Sequence, residues 1–308
     1  MRILVLGAGA VGGYFGGRLA ESGADVSFLV RDRRKAELDA HGLIVKSAVG
    51  DIAIPVAALT RREVDRPFDL VLLSCKSYDL DAAIDAIEPA LGRAGAVLPV
   101  LNGVRHLDRL AERLGAGRVL GGACYISASL ENGVVHHIGE LQTLMLGELS
   151  GEKTARAREI EAAFAGTKAE VTVSDDILQV MWEKLVMLAA LAGATTLTRA
   201  TVGQIMAAAS GERFLLATLA ECAAVAAAEG HAPTSEALAR ARSLLVARGS
   251  PFAASTMRDM IAERRTEGEH IIGDLVRRAA AHRLSIPILE VAWTNLEVHE
   301  ARLGPAPG

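Results

Sequence analysis

Lys184 stands at the entrance to an entirely uncharged run, Leu185–Ala194, inside a segment with helical periodicity. A lysine so placed either lays its stem along apolar surface and keeps its ammonium in water, or is positioned to deliver a proton. Helical spacing puts Lys184, Leu188 and Ala192 on one face. Two more candidates directly follow apolar runs: Lys76 after Asp69–Cys75, and Asn102-Gly103 after Ala96–Leu101. Residues just past strand ends line the crevice of an open α/β sheet. The bland alternatives are a solvated surface lysine and a common turn pair. Asp259 and Glu267 are about two helical turns apart, so their carboxylates are expected to share a face. The alternative for Glu267 is a surface acid paired with Arg264. Lysine is a usual donor of the proton that an oxygen needs when a carbonyl is reduced.

Such groups need a scaffold, and the first thirty-one residues, Met1–Arg31, supply one. Ile3–Leu6 is an apolar strand, Gly7-Ala8-Gly9-Ala10-Val11-Gly12 a glycine turn, Tyr14–Ser22 a helix, and Val26–Val30 a second strand. Gly7 allows the tight turn, Gly9 lets the backbone approach a pyrophosphate, and Gly12 lets the helix pack on the strand. The helix N-terminus offers N–H groups and a positive dipole end to phosphate. This context makes the pattern a dinucleotide fingerprint rather than a glycine-rich turn. NAD sites usually carry an acid at the end of the second strand. Here Val30-Arg31 stands there, and a guanidinium can grip a 2′-phosphate in bidentate fashion. The cofactor expected is NADP(H), with Arg31 as its main contact. Asp32 is the rival, as an NAD-type acid displaced by one position. Arg33, Arg34 and Lys35 read as a solvated loop.

The 308 residues suffice for two ordinary domains. A net charge of −4 gives no reason to expect a polyanion beyond the cofactor. Hydrophobic residues are 51% but aromatics only 4%, which favours closely packed, alanine-rich helices. Cys75, Cys124 and Cys222 lack metal-ligand spacing, so no metal is expected, and their sparse, odd number suits reduced thiols in a cytoplasmic protein. The glycines that interrupt the N-terminal apolar run argue against a secretory signal. Leu185–Thr198, the longest uncharged run of the second half, is short of the ~20 residues a membrane span needs. No membrane or nucleic-acid partner is expected. Oligomeric state is left open, a homodimer being one option.

The rest of the first half continues the alternation. Helices are expected at 33–40, 80–91 and 106–114, and a hairpin from 43–47 and 51–56. Strands are expected at 69–75, 96–101 (with Pro99 inside it) and 119–127, and a strand pair at 134–138 and 143–146. A charged helix at 151–165 and a strand at 168–173 close the half. The βαβ rhythm predicts an α/β Rossmann-type doubly wound parallel sheet over residues 1–172. An all-α domain follows over 173–308, with helices at 177–192, 202–208, 211–229, 236–248, 256–264, 266–283 and 288–301. The tail Gly304–Gly308 is expected to fray.

Taken together, the markers resemble the ketopantoate reductase (2-dehydropantoate 2-reductase) family over nearly the whole chain. They are Gly7–Gly12, Arg31, Cys75-Lys76-Ser77-Tyr78, Leu101-Asn102-Gly103, Gly121–Ser127, Trp182-Glu183-Lys184-Leu185, Ser255–Asp259 and Arg265-Thr266-Glu267. The resemblance implies hydride delivery from NADPH to the carbonyl carbon of a 2-oxo acid. It makes Lys184 the general acid and Glu267 its assistant. Ser255 would hold the substrate carboxylate, and Lys76 and Asn102 would lie beside cofactor and substrate. For ketopantoate itself this means a step of pantothenate synthesis.

The departures bear on the substrate. Family reductases acting on ketopantoate carry asparagines one and two turns after the lysine, where this chain has Leu188 and Ala192. Another, three residues before the serine, is replaced by Phe252. The polar wall that would recognise a substrate hydroxyl is stripped. The leading expectation is an NADPH-dependent reductase of a small 2-oxo acid. The alternatives are a family member reducing a more apolar 2-oxo acid or running as a dehydrogenase, and a non-catalytic NADP(H)-binding sensor or partner subunit.

Overall fold

A computed structural model of the chain describes residues 1–304, and the expected frayed tail beyond them lies outside the described residues. The chain forms two compact units. One comprises Met1–Leu101 and His106–Leu178, and the other Asn102–Arg105 with the residues from Gln179 onward. Periodicity gives no hint that the short segment 102–105 belongs with the helical half.

In chain order the first unit contains β1 (Arg2–Leu6), α1 (Ala10–Glu21), β2 (Asp25–Leu29), α2 (Asp32–His41), β3 (Leu43–Ser47), β4 (Ile52–Ile54), β5 (Ala57–Leu59), β6 (Phe68–Leu73), α3 (Leu80–Ile87) and β7 (Leu91–Pro99). After α4 (Arg105–Leu114) come β8 (Leu120–Glu131), β9 (Val134–Glu148), α5 (Ala155–Phe164) and β10 (Glu170–Val173). The central sheet is parallel, in the order β5-β2-β1-β6-β7. Chain order reverses between β1 and β6, the switch point beside which such sheets bind ligands. Leu6 pairs with both Leu29 and Leu73, so the segments after β1, β2 and β6 start at one level.

The later strands do not extend that sheet. They join β3 and β4 in a second one, β10-β9-β3-β4, with β8 antiparallel to β9. The expected strand pair at 134–138 and 143–146 is the single strand β9, irregular opposite Ile126 and Ala128. Short β5, parallel to β2, was not expected. The helix expected to reach Leu91 stops at Ile87, and Leu91 already begins β7. Pro99 closes β7, where a missing N–H is tolerated. Tyr14, Phe15 and Leu19 of α1 join Val5, Phe28, Leu43 and Val135 in one core. Each such side chain contributes about 1.5–3 kcal/mol by leaving water.

The second unit is helical. Its elements are α6 (Ile177–Thr198), α7 (Val202–Ala207), α8 (Gly211–Ala228), α9 (Ser235–Leu245) and α10 (Ser255–Ile261). A π-helical turn (Glu269–Gly273), α11 (Asp274–Ala281) and α12 (Pro287–Leu303) complete it. Helix α6 is longer than the uncharged run inside it. By length and composition it could span a membrane, but 67% of its apolar window is buried within the protein, as in a core helix. The continuous helix expected at 266–283 is not continuous. The chain bends at Thr266–Gly268 and enters the π-helical turn before α11.

Candidate functional site

The first unit presents a cleft of about 940 Å³ at the carboxyl ends of its central strands. Gly7, Ala8 and Gly9 line it after β1, Val30 and Arg31 after β2, and Ser74, Cys75 and Lys76 after β6. The three fingerprint glycines have separate physical reasons. Gly7 has φ +89°, a turn conformation that side chains rarely adopt. A Cβ on Gly12 would lie 2.2 Å from the Gly7 carbonyl and against the Ser74 side chain, so glycine here lets α1 pack closely. A Cβ on Gly9 would meet nothing within 4 Å. Gly9 is also the N-cap of α1, with no side-chain cap and no acid in the first turn of the helix. Ala10 and Val11 form that first turn and do not line the cleft.

Cationic side chains dominate the cleft: Arg31, Arg33, Arg34, Arg61, Arg62 and Lys76 against Asp32, Glu37 and Asp79. Arg31 is 85% exposed and meets Asp79 at 3.4 Å. Lys76 is exposed at the wall. Arg33–Lys35 lie in the first turn of α2, within the helix expected at 33–40, but Arg34 is not solvated as expected. Only 14% of its side chain is exposed. Its Nε donates to the Ala8 carbonyl at 3.2 Å and its Nη1 to the Gly133 carbonyl at 3.0 Å. It thus ties the glycine turn to the β8–β9 turn, a long-range role that local spacing does not disclose. Its Nη2 is buried without a hydrogen-bond partner. A cationic cleft with an uncapped helix N-terminus and an unsatisfied guanidinium nitrogen fits a bound dinucleotide phosphate.

The second unit gathers the remaining candidates. Lys184, only 8% exposed, lies on α6, and its Nζ donates to Asn102 Oδ1 at 3.1 Å. Asn102 is half-buried and not part of the cleft lining; its side chain serves the lysine. Glu267 is buried on the bend before the π-helical turn. Arg264 pairs with Asp259 at 2.9 Å instead. The shared helical face expected for Asp259 and Glu267 does not exist, because α10 ends at Ile261 and Glu263 takes φ 51°. Ser255 opens α10 and is exposed.

His270, absent from the sequence reading, belongs to the same cluster. It is 5% exposed, and burial pushes its pKa below the usual imidazole value. Glu267 and Asp274 act against that shift, Arg105 reinforces it, and a hydrogen bond to the Asn102 backbone favours the charged ring. A lone histidine three residues past Glu267 carries no signal until the fold brings segment 102–105 to it.

Leu188 and Phe252 are half-buried and Ala192 is buried. The nearby hydroxyls do not replace the missing amides. Thr195, fully buried, donates to the Leu191 carbonyl at 2.7 Å and accepts from Ala254 N at 3.4 Å. Thr198 donates to the Ala194 carbonyl at 2.8 Å.

The chain is similar to known proteins over nearly its whole length. Residues 3–151 match the family model "Ketopantoate reductase PanE/ApbA" and residues 176–300 its C-terminal model. "Uncharacterized oxidoreductase YkpB" of Bacillus subtilis is 37% identical over 98% of this chain and 99% of its own. A 2-dehydropantoate 2-reductase of Halobacterium salinarum is 32% identical over 94% of this chain and 95% of its own. The crystal structure of a PanE/ApbA family ketopantoate reductase from Ralstonia eutropha superposes with a TM-score of 0.90. It is 28% identical and covers 99% of this chain and 100% of its own. With both family models matched in order along most of its length, the chain belongs to the ketopantoate reductase family of nicotinamide-dependent oxidoreductases.

Proposed function

We propose that the chain is an NADPH-dependent reductase of a small 2-oxo acid, and that its preferred substrate is more apolar than ketopantoate. The observation that carries the reading is the buried Lys184 side chain, whose ammonium donates to Asn102 Oδ1 at 3.1 Å. A lysine that merely snorkelled would place its ammonium in water. This side chain is buried, and its ammonium donates to a side-chain acceptor.

When bound, the reduced nicotinamide supplies hydride to the carbonyl carbon of the substrate. Lys184 gives its proton to the carbonyl oxygen as negative charge develops there. Asn102 orients the ammonium, and Glu267 assists as a buried acid of the same unit. The Ser255 hydroxyl takes the substrate carboxylate. On the cofactor side, Gly7–Gly12 and Lys76 hold the dinucleotide, and Arg31 grips the 2′-phosphate. Asp32 need not be an NAD-type acid. It sits in the first turn of α2, where a carboxylate is favoured by the helix dipole. On this reading the unit of residues 1–101 and 106–178 is the cofactor domain, where a boundary near 172 was expected, and segment 102–105 with the helices from Gln179 onward is the substrate domain.

The test is NADPH oxidation measured with ketopantoate beside a panel of branched 2-oxo acids, and NADP+ reduction with the matching hydroxy acids. Turnover of at least one 2-oxo acid with NADPH is expected. Turnover seen only with the hydroxy acids would favour the dehydrogenase reading. Tight NADPH binding with no turnover in either direction would make the chain a binding protein and sink the proposal.

A further inference from the structure

Segment 102–105 is separated in sequence from the helices it joins, yet it carries the side chain that orients Lys184. Something must hold it. Two attachments lead to the π-helical turn Glu269–Gly273. At one end, Arg105 Nη1 bonds Glu269 Oε1 at 2.7 Å. At the other, Gly103 takes φ +85°, and a Cβ there would lie 2.9 Å from His270 Cδ2. The His270 ring also hydrogen-bonds the Asn102 backbone. The histidine therefore packs on one residue of the segment and bonds the one before it. The π-helical turn has its own significance, because the extra residue of such turns re-aims side chains and is common at functional sites.

We propose that His270 is a positioning residue for the reduction. Its ring fixes the Asn102–Gly103 backbone and so sets the Asn102 side chain that orients the Lys184 ammonium. The inference rests on the function proposed above. Burial keeps the ring below its usual pKa, so at neutral pH it is an uncharged donor suited to a backbone carbonyl. Glu267, Asp274 and Arg105 are the charged groups that face it. Uncharged, it adds no second cation next to the lysine it serves.

Three variants test this in the full-length protein: His270→Phe, which keeps a ring and removes the donor, and His270→Asn and His270→Gln. The amide nitrogens of the last two overlay one or the other ring nitrogen. His270→Phe should lower kcat about tenfold or more while the Kd for NADPH stays within twofold. Backbone amides of residues 102–105 should exchange with deuterium faster. One of the two amide variants, the one whose nitrogen reaches the Asn102 carbonyl, should restore most of kcat and slow the exchange again. If His270→Phe does not fold, the amide pair decides, since one must keep kcat near wild type and the other must lose it. Unchanged exchange at 102–105, or equal losses in all folded variants, would overturn the proposal and leave His270 a packing residue. If the wild-type protein turns over no 2-oxo acid, the function reading fails, and the exchange measurement still decides what His270 holds.

Discussion

The cleft of the first unit and the lysine cluster of the second hold cations under opposite conditions. In the cleft, Arg31 and Lys76 are exposed, and Gly7 and Gly9 of the glycine turn line its wall. In the cluster, Lys184, Glu267 and His270 are each at least 90% buried, and the groups that orient them come from distant parts of the chain. Exposed charges interact weakly and mainly attract. Buried ones interact strongly and demand fixed partners. On the function proposed above, the difference suits a division of labour in which the cleft would bind the cofactor and the cluster would move a proton. Single substitutions should therefore affect affinity in one region and turnover in the other.

The largest effect is expected at Lys184. Lys184→Ala should lower kcat by roughly 10²–10⁴-fold, the range for a positioned general acid. NADPH affinity, measured by fluorescence titration, should remain near wild type. Near-normal turnover on the best substrate would show that the lysine is structural and would erase the contrast between the regions.

Arg31→Ala tests the binding side. NADPH affinity should fall by about 1.5–3 kcal/mol, the range for a hydrogen bond to a charged group. NADH affinity should change little, since NADH has no 2′-phosphate. Equal losses for the two cofactors would remove Arg31 from that role and shift attention to Arg34.

The glycines sharpen the comparison further. Gly9→Ala places a methyl where nothing lies within 4 Å, so thermal stability should hold. NADPH affinity should fall about tenfold, or about 1.4 kcal/mol, because the methyl occupies the backbone surface a pyrophosphate needs. Gly12→Ala should do the reverse first. Its Cβ would stand 2.2 Å from the Gly7 carbonyl, and overpacking of that kind typically costs about 1–3 kcal/mol. A Gly9→Ala protein that binds NADPH normally would mean that the turn does not cradle the cofactor.

The same contrast explains what the sequence made legible. The fingerprint is local: strand, turn and helix adjoin, and each glycine answers to a neighbour within the unit. Long apolar runs gave most elements to within a few residues. The second sheet was missed because β3 pairs with β9 across some ninety positions of chain, while βαβ rhythm describes only neighbours. Arg34 was misread because its partners, Ala8 and Gly133, come from other elements. Lys184 stood out against its apolar run. The hydrogen bond between Asn102 and Lys184 and the packing of His270 on Gly103 depend on segment 102–105 joining the helical unit. Neither polarity nor periodicity records that event.

The smallest expected effect concerns the substrate. A hydroxyl facing Leu188, Ala192 and Phe252 would leave water without gaining a partner there, at a cost of about 1–3 kcal/mol. Thr195 offers little relief, because its hydroxyl already donates to the Leu191 carbonyl and accepts from Ala254 N. Thr198 likewise spends its one proton on the Ala194 carbonyl. Ketopantoate should therefore be reduced no better than an analogue of similar size lacking the hydroxyl. The ratio of their kcat/KM values measures this, since it reports differential binding in the transition state. Replacing Leu188 and Phe252 together with asparagine should move the ratio toward ketopantoate. A wild-type preference for ketopantoate of about tenfold, or about 1.4 kcal/mol, would mean that another group recognises the hydroxyl. The apolar wall would then not determine the choice of substrate.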